Sequence, residues 1–210
     1  MRMDYKTVKS QSESEIVINK SRFITSVKRT ETEQEALDFI REIKSAHPAA
    51  NHNCSAYLIG EHDSIQKAND DGEPSGTAGF PMLEVLKKQG LKDTTVVVTR
   101  YFGGIKLGGG GLIRAYGRST SEGVAAAGTV ERRLHSTMCV TVDYTALGKV
   151  ENEVRQSAWP LEHIEYGEHV SLFISVPISE VESFHTWVAD LTNGQGNVTE
   201  GEQKFLEFSV

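Results

Sequence analysis

Residues 100–117 read RYFGGIKLGGGGLIRAYG, with seven glycines among three basic side chains. Glycine costs roughly 0.5–1 kcal/mol against alanine inside a regular element. A run this dense therefore limits the fold more than any other stretch of the chain. It requires a special turn, the close approach of another backbone, or a bound anion. The flanks narrow the choice. TTVVVTR, ending at Arg100, is a short apolar run that reads as a buried strand. LIRAYGRSTSEGVAAAG reads as a helix running to Gly128. Between a strand and a helix, free backbone N–H groups and the helix dipole converge on one spot, a common place for anions.

Nucleotide signatures fail at this stretch. A P-loop needs Lys and then Ser or Thr after its last glycine, where this chain has only Leu112. A GxGxxG reading from Gly108 or Gly109 meets Ile113 or Arg114 in place of the final glycine. What remains is a nucleic-acid or anion contact through Arg100, Lys106, Gly108, Gly109, Gly110, Gly111, Arg114 and Arg118, or tight packing of a helix on a sheet. Arg114 and Arg118 are four apart and share a helix face. Charge distribution sharpens the first option. The chain carries −7 overall, but residues 84–133 carry +5 between an N-terminal part at −3 and a C-terminal part, 134–210, at −9. The glycines lie in the one basic third of an acidic protein, which bears on partners rather than on fold.

The loop DDGEPSGTAG, residues 70–79, is the second unusual feature. Asp70, Asp71 and Glu73 could hold a hard cation, or form a solvated turn in which Ser75 or Thr77 caps the next helix. The EF-hand pattern is absent. His52 and Cys54, two apart on a strand, can face one side, but a nucleophilic pair also needs an electropositive setting. No HExxH, zinc spacing or GxSxG occurs. These residues argue against an enzyme and name no metal or cofactor. Cys54 and Cys139 lie far apart, so free thiols in a reducing cytoplasm are expected. No apolar run approaches the roughly 20 residues that span a bilayer, and MRMDYKTVKS does not read as a signal peptide, so no membrane partner is expected.

Two α+β segments follow from periodicity. In the first, a hairpin turns at Asn19-Lys20-Ser21, and Thr30 and Glu33 offer a capping box for a helix with Leu37, Ile40 and Ile43 on its apolar face. CSAYLIG is a strand, and FPMLEVLKKQG a helix stopped by Gly90. In the second, MCVTVD is a strand, Leu147, Val150 and Val154 mark a helix, and LEHIEY pairs with HVSLFISV. Ser179 and Glu182 offer another capping box, for a helix whose apolar face is Val181, Phe184, Val188 and Leu191. A last strand alternates through Leu206, Phe208 and Val210. The order βαββαβ is that of a ferredoxin-like domain. The boundary falls near 129–137, giving domains 1–133 and 134–210 with a protease-accessible join.

SRFI at 21–24, HNCSAY at 52–57, DDGEPSGTAG at 70–79 and RYFGGIKLGGGGLIRAY at 100–116 together resemble the IMPACT family, in its bacterial YigZ-type form. Asn51 stands where the family pattern leads one to expect Thr. The resemblance implies an N-terminal domain with a β-α-β fold like the second domain of a small-subunit ribosomal protein. It also implies a C-terminal ferredoxin-like domain similar to one of elongation factor G. Eukaryotic members regulate translation through a partner of an additional RWD domain, for which this chain has no room. The resulting expectation is a non-enzymatic, cytoplasmic, translation-associated protein whose basic glycine-rich surface meets RNA or a ribonucleoprotein. The acidic C-terminal domain then meets a protein. The alternatives are a small-molecule or phosphate-binding enzyme built on DDGEPSGT and GGIKLGGGG, and a purely protein–protein module.

Overall fold

The computed structural model describes residues 4–60 and 62–210. The chain is mixed α+β and divides into two compact units, 4–132 with 208–210, and 133–207. In chain order the elements of the first are β1 (Tyr5–Val8), β2 (Ser12–Ile18), β3 (Ser21–Arg29), α1 (Glu33–Ala46), β4 (His52–Ile59), β5 (Ile65–Asn69), α2 (Gly79–Lys88), β6 (Thr94–Tyr101) and α3 (Gly108–Ala127). Next comes β7 (Thr129–Val142), then α4 (Tyr144–Gln156), β8 (Leu161–Tyr166), β9 (Val170–Pro177), α5 (Val181–Thr192) and β10 (Asn197–Ser209). The change of unit falls inside β7, which runs unbroken through 129–137. Among the described residues, no helix is long and apolar enough to cross a membrane.

The 4–132 unit is an antiparallel sheet of order β2–β3–β6–β4–β5 with helices on both faces. Cys54, Ala56, Leu58, Val96 and Val98 point to α2 and α3, and Tyr57, Ile59 and Val97 to α1. This two-sided burial explains the unbroken apolar run of β6, because a strand covered on both faces has no polar side to show. Each fully buried Val contributes roughly 1.5–3 kcal/mol relative to exposure. The β2–β3 hairpin turns on Asn19 and Lys20, both at positive φ, with Ile18 opposite Ser21.

Helix α1 starts two residues later than Thr30 and Glu33 predict. Its N-cap is Thr32, which accepts from the Glu35 N–H at 3.2 Å, while Glu35 accepts from the Glu31 N–H at 2.8 Å. Thr30 is buried beside Thr95, with the two hydroxyls 2.7 Å apart. The buried face of α1 is Ala36, Phe39, Ile40 and Ile43, and Leu37 stays exposed.

In the 133–207 unit the elements run β7, α4, β8, β9, α5, β10; its strands pair in the order β7–β9–β8 with β10 also on β7, while Thr129–Arg132 of β7 pair β1 in the 4–132 unit. Val150 and Val154 of α4 and Phe184 and Val188 of α5 pack on Met138, Val140, Leu172 and Ile174. The Ser179–Glu182 capping box does not form. A 3-10 turn over Ile178–Glu180 leads into α5, and Glu180 accepts instead from Trp159 Nε1 at 2.6 Å.

Candidate functional site

Alternation along β6 decides where Arg100 goes. It follows Val96 and Val98 on the face covered by α2 and α3, opposite Phe23 of β3 and His52 of β4. Arg100 is only 5% exposed. Its Nη1 donates to Glu73 Oε1 at 2.6 Å and its Nη2 to Ser21 Oγ at 3.4 Å. Its guanidinium carbon lies 5.4 Å from the centre of the Phe23 ring and 5.5 Å from that of Phe102. The hydroxyl of Tyr116, from α3, donates to the same Glu73 oxygen at 2.7 Å, and His52 Nε2 stands 3.8 Å from the other. A buried carboxylate thus ties the 70–79 loop to β6 and α3. Burial, followed by the neighbouring Cys54 and Glu73, pushes the Tyr116 phenol far up, so it stays a donor. Arg100 Nε is buried without a hydrogen-bond partner among the described residues.

The other acids of the loop are turned to structural use. Asp70 Oδ1 accepts from the N–H groups of Ala78 at 3.0 Å and Gly79 at 2.8 Å, and Oδ2 from Gly76 at 2.8 Å. Burial works to raise its pKa, but these three N–H groups outweigh it and hold the carboxyl below the ordinary carboxylate range. Asp71 accepts from Lys44 Nζ at 2.7 Å and from the Asn53 N–H at 2.6 Å, and these donors likewise overcome burial to lower its pKa. Carboxylates so occupied form no cation cage, and no metal-ligating cluster occurs among the described residues. Neither Ser75 nor Thr77 caps α2. Ser75 is exposed, Thr77 Oγ1 donates to the Pro74 carbonyl at 2.6 Å, and the cap comes from Asp70.

The glycine stretch serves packing and leaves donors free at once. A Cβ on Gly103 would stand 2.1 Å from the Lys20 backbone, so the 102–107 loop lies directly on the β2–β3 turn. Gly108 has φ +70°, a left-handed residue that opens α3 four residues before Leu112, the expected start. Glycines 108–111 therefore form the first turn of a 20-residue helix. Leu107 precedes it and offers no capping side chain, and the first turn holds no acid. The leading N–H groups of a helix have no intrahelical acceptor.

Arg100, Lys106, Gly108 and Gly109 come together with Glu73, Pro74, Phe102, Leu107 and Leu112 around a cavity of about 380 Å³. Asp70, Asp71, Ser75 and Thr77 are not in its lining, although Thr77 Cγ2 lies 4.0 Å from the Cβ position of Gly109. Gly110, Gly111 and Arg114 continue α3 outside the lining. Lys106 and Arg114 are exposed, and neither is ion-paired among the described residues. Arg118 pairs with Glu122 at 2.9 Å, and the Arg100 charge is met by Glu73. Phe102 and Tyr116 belong to this site although the sequence did not single them out. The alternation Val96, Val98, Arg100, inward on one strand face, is the signal that points to them.

His52 and Cys54 are not a nucleophilic pair. His52 Nδ1 lies 2.9 Å from the Asp71 carbonyl, and Cys54 Sγ donates to the Asp70 carbonyl at 3.0 Å. Burial pushes the Cys54 thiol up to about 12, which keeps it protonated.

The sequence model described as the Impact N-terminal domain matches residues 19–124, and a domain of unknown function (DUF1949) matches 140–195. The chain is 60% identical to the "IMPACT family member YvyE" of Bacillus subtilis (strain 168), over 98% of this chain and 95% of that one. It is 35% identical to the "IMPACT family member YigZ" of Escherichia coli (strain K12), over 84% of this chain and 88% of that one. Among solved structures, a crystal structure of a hypothetical protein superposes with a TM-score of 0.60 at 31% identity, covering 96% of this chain and 99% of that one.

Proposed function

The chain belongs to the IMPACT family, and from that premise we propose that it is a non-enzymatic, cytoplasmic, translation-associated protein that binds RNA or a ribonucleoprotein. One observation carries this reading. The uncapped N-terminus of α3 lies beside two cations, Lys106 and Arg114, that have no acidic partner among the described residues. Backbone donors plus mobile cations make a phosphate contact that positions a nucleic acid without reading its sequence. In this reading the antiparallel sheet of the 4–132 unit is the ribosomal-protein-like fold of the family, and the βαββαβ order of the 133–207 unit is ferredoxin-like. The −9 charge of residues 134–210 repels RNA. That unit is assigned a protein partner.

Salt dependence tests the proposal. With Arg100 and Arg118 held by internal acids, two side-chain contacts remain, and the single-strand slope of log K against log salt is about −0.7 per contact, hence about −1.4. Lys106→Ala with Arg114→Ala should flatten the measured slope by that amount while the circular dichroism spectrum stays unchanged. A folded double mutant with an unaltered slope assigns these residues no role, and the absence of RNA binding by the intact protein at low salt rejects the reading.

A further inference from the structure

We infer that the end of the 4–132 unit where α2 and α3 begin is a stacking platform for unpaired RNA bases. The exposed rings of Phe102 and Phe80 meet the bases, and Lys20, Lys106 and Arg114 meet the phosphates. The inference rests on the preceding reading and narrows it from RNA to single strands. Two helices start together at this end. A Cβ on Gly109 would lie 4.0 Å from Thr77, just before α2, and one on Gly117 would lie 4.0 Å from Val85, so α2 and α3 run in parallel. Four of the nine large hydrophobic side chains exposed among the described residues fall there. They are Phe80, 57% exposed, Phe102, 46% exposed, Ile105 and Ile113. Single exposed apolar groups need no explanation, but a cluster marks an interaction surface.

Charge and rigidity choose the partner. Lys20, Lys106 and Arg114 are exposed, and none has an acidic partner among the described residues. Lys20 stands on the β2–β3 turn, whose backbone would lie 2.1 Å from a Cβ on Gly103, so it borders the loop that holds Lys106. The nearby acids are taken. Glu73 accepts from Arg100 and Tyr116, Asp70 from three amides, and Glu84 stands 3.4 Å from Lys87. The unbalanced charge is positive, which suits a polyanion. Phe102 is fixed from inside. Its N–H donates to Asn51 Oδ1 at 2.8 Å, and the Arg100 guanidinium lies over its ring, 5.5 Å from the centre. The protein thus holds the ring while much of it stays exposed, and a base that stacks there has little left to order. Paired bases keep their faces inside a duplex, whereas unpaired ones present them, and stacking on an aromatic ring accepts any base. Charge alone favours a duplex, whose phosphates are denser, so a preference for single strands points to the rings.

The test uses the full chain in anisotropy titrations with a labelled, short, mixed-sequence RNA, single-stranded or annealed to its complement. The single strand should bind about tenfold or more tightly than the duplex at equal salt. Phe102→Leu keeps an apolar side chain but removes the ring. It should weaken single-strand binding at least about fivefold, the lower end for one stacked base. Phe102→Trp, which keeps a stacking face, should bind as tightly as the wild type or more so. Phe80→Leu should act as Phe102→Leu does, and it carries the test should a Phe102 variant fail to fold. None of these changes should move the salt slope, because no charge is altered. Lys20→Ala should instead flatten it by about 0.7, the share of one phosphate contact. Duplex binding as tight as single-strand binding overturns the platform and leaves the RNA reading standing. So do folded Phe102→Leu and Phe80→Leu proteins that bind the single strand as the wild type does, and the apolar cluster is then a protein contact. A Lys20→Ala slope equal to that of the wild type overturns the path of the strand across the β2–β3 turn. No RNA binding by the intact protein at low salt overturns both the platform and the reading it rests on.

Discussion

Helices α2 and α3 lie in the same unit, follow the two unusual loops of the chain, and begin in opposite ways. The amides at the start of α2 meet a carboxylate built into the protein, Asp70, which takes three N–H groups. Those at the start of α3 meet four glycines, no acid and no capping side chain. The same dipole and the same unsatisfied donors are present at both ends. At α2 a carboxylate of the protein takes them, and at α3 no side chain caps them among the described residues. Between the two, Glu73 and Arg100 lock the loops together, so a site can be open without the unit being loose.

The largest effect should come from breaking that lock. Arg100 and Glu73 have side chains only 6% and 4% exposed, and removing one member of a buried pair leaves the other charge uncompensated. Glu73→Ala or Arg100→Ala should therefore cost about 3–5 kcal/mol in chemical denaturation. A loss below about 1 kcal/mol would mean that the loops are held by other contacts. Next come the helix ends. Asp70→Ala should cost about 0.5–2 kcal/mol, whereas Gly109→Asp should add about 0.3–1 kcal/mol. Two losses, or two gains, would erase the contrast between α2 and α3.

The smallest effect is a dependence on pH. The folded values of Asp70 and Asp71 lie below their unfolded ones, because donors to the charged form overcome burial. Their contribution is thus complete above the unfolded value of about 3.9 and is lost as pH falls through the folded value. The stability gap between the wild type and Asp70→Asn should be constant from neutral pH to about 5 and narrow below about 4. A gap that widens in acid would reverse the assigned sign.

Much of this could be read in the amino-acid sequence, because most elements are fixed by local pattern. The apolar run at 94–100, the Gly90 and Gly128 stops and the Asn19-Lys20 turn all stand where periodicity and turn chemistry put them. What was hidden depends on partners distant in the chain. TETEQE holds two overlapping capping boxes, and the choice of Thr32 over Thr30 is made by β6, whose Thr95 takes the Thr30 hydroxyl into the interior. Arg100 and Arg118 look like surface cations until Glu73, 27 residues earlier, and Glu122 are seen against them. Asp70 and Asp71 look like cation ligands because an acid pair reads the same whether its neighbours are metals or amides. The early start of α3 escaped because four consecutive glycines carry no helix propensity, and packing rather than propensity sets that end.

The bond from Tyr116 to Glu73 also makes the site its own optical gauge. A free phenol ionises near pH 10, but burial first, and the neighbouring Cys54 and Glu73 after it, keep this one protonated well beyond that range. Tyr57, buried first of all and donating to Glu33 at 2.8 Å, is pushed up to about 12. Folding therefore resists ionisation at both positions. The stabilisation is whole below about pH 10 and is lost as pH climbs toward the folded values. Two of the six tyrosines thus withhold their phenolate absorbance until their buried surroundings open. Alkaline spectra of a Tyr57→Phe protein would let the Tyr116 signal report, without any added dye, the moment when α3 parts from the loop beneath it.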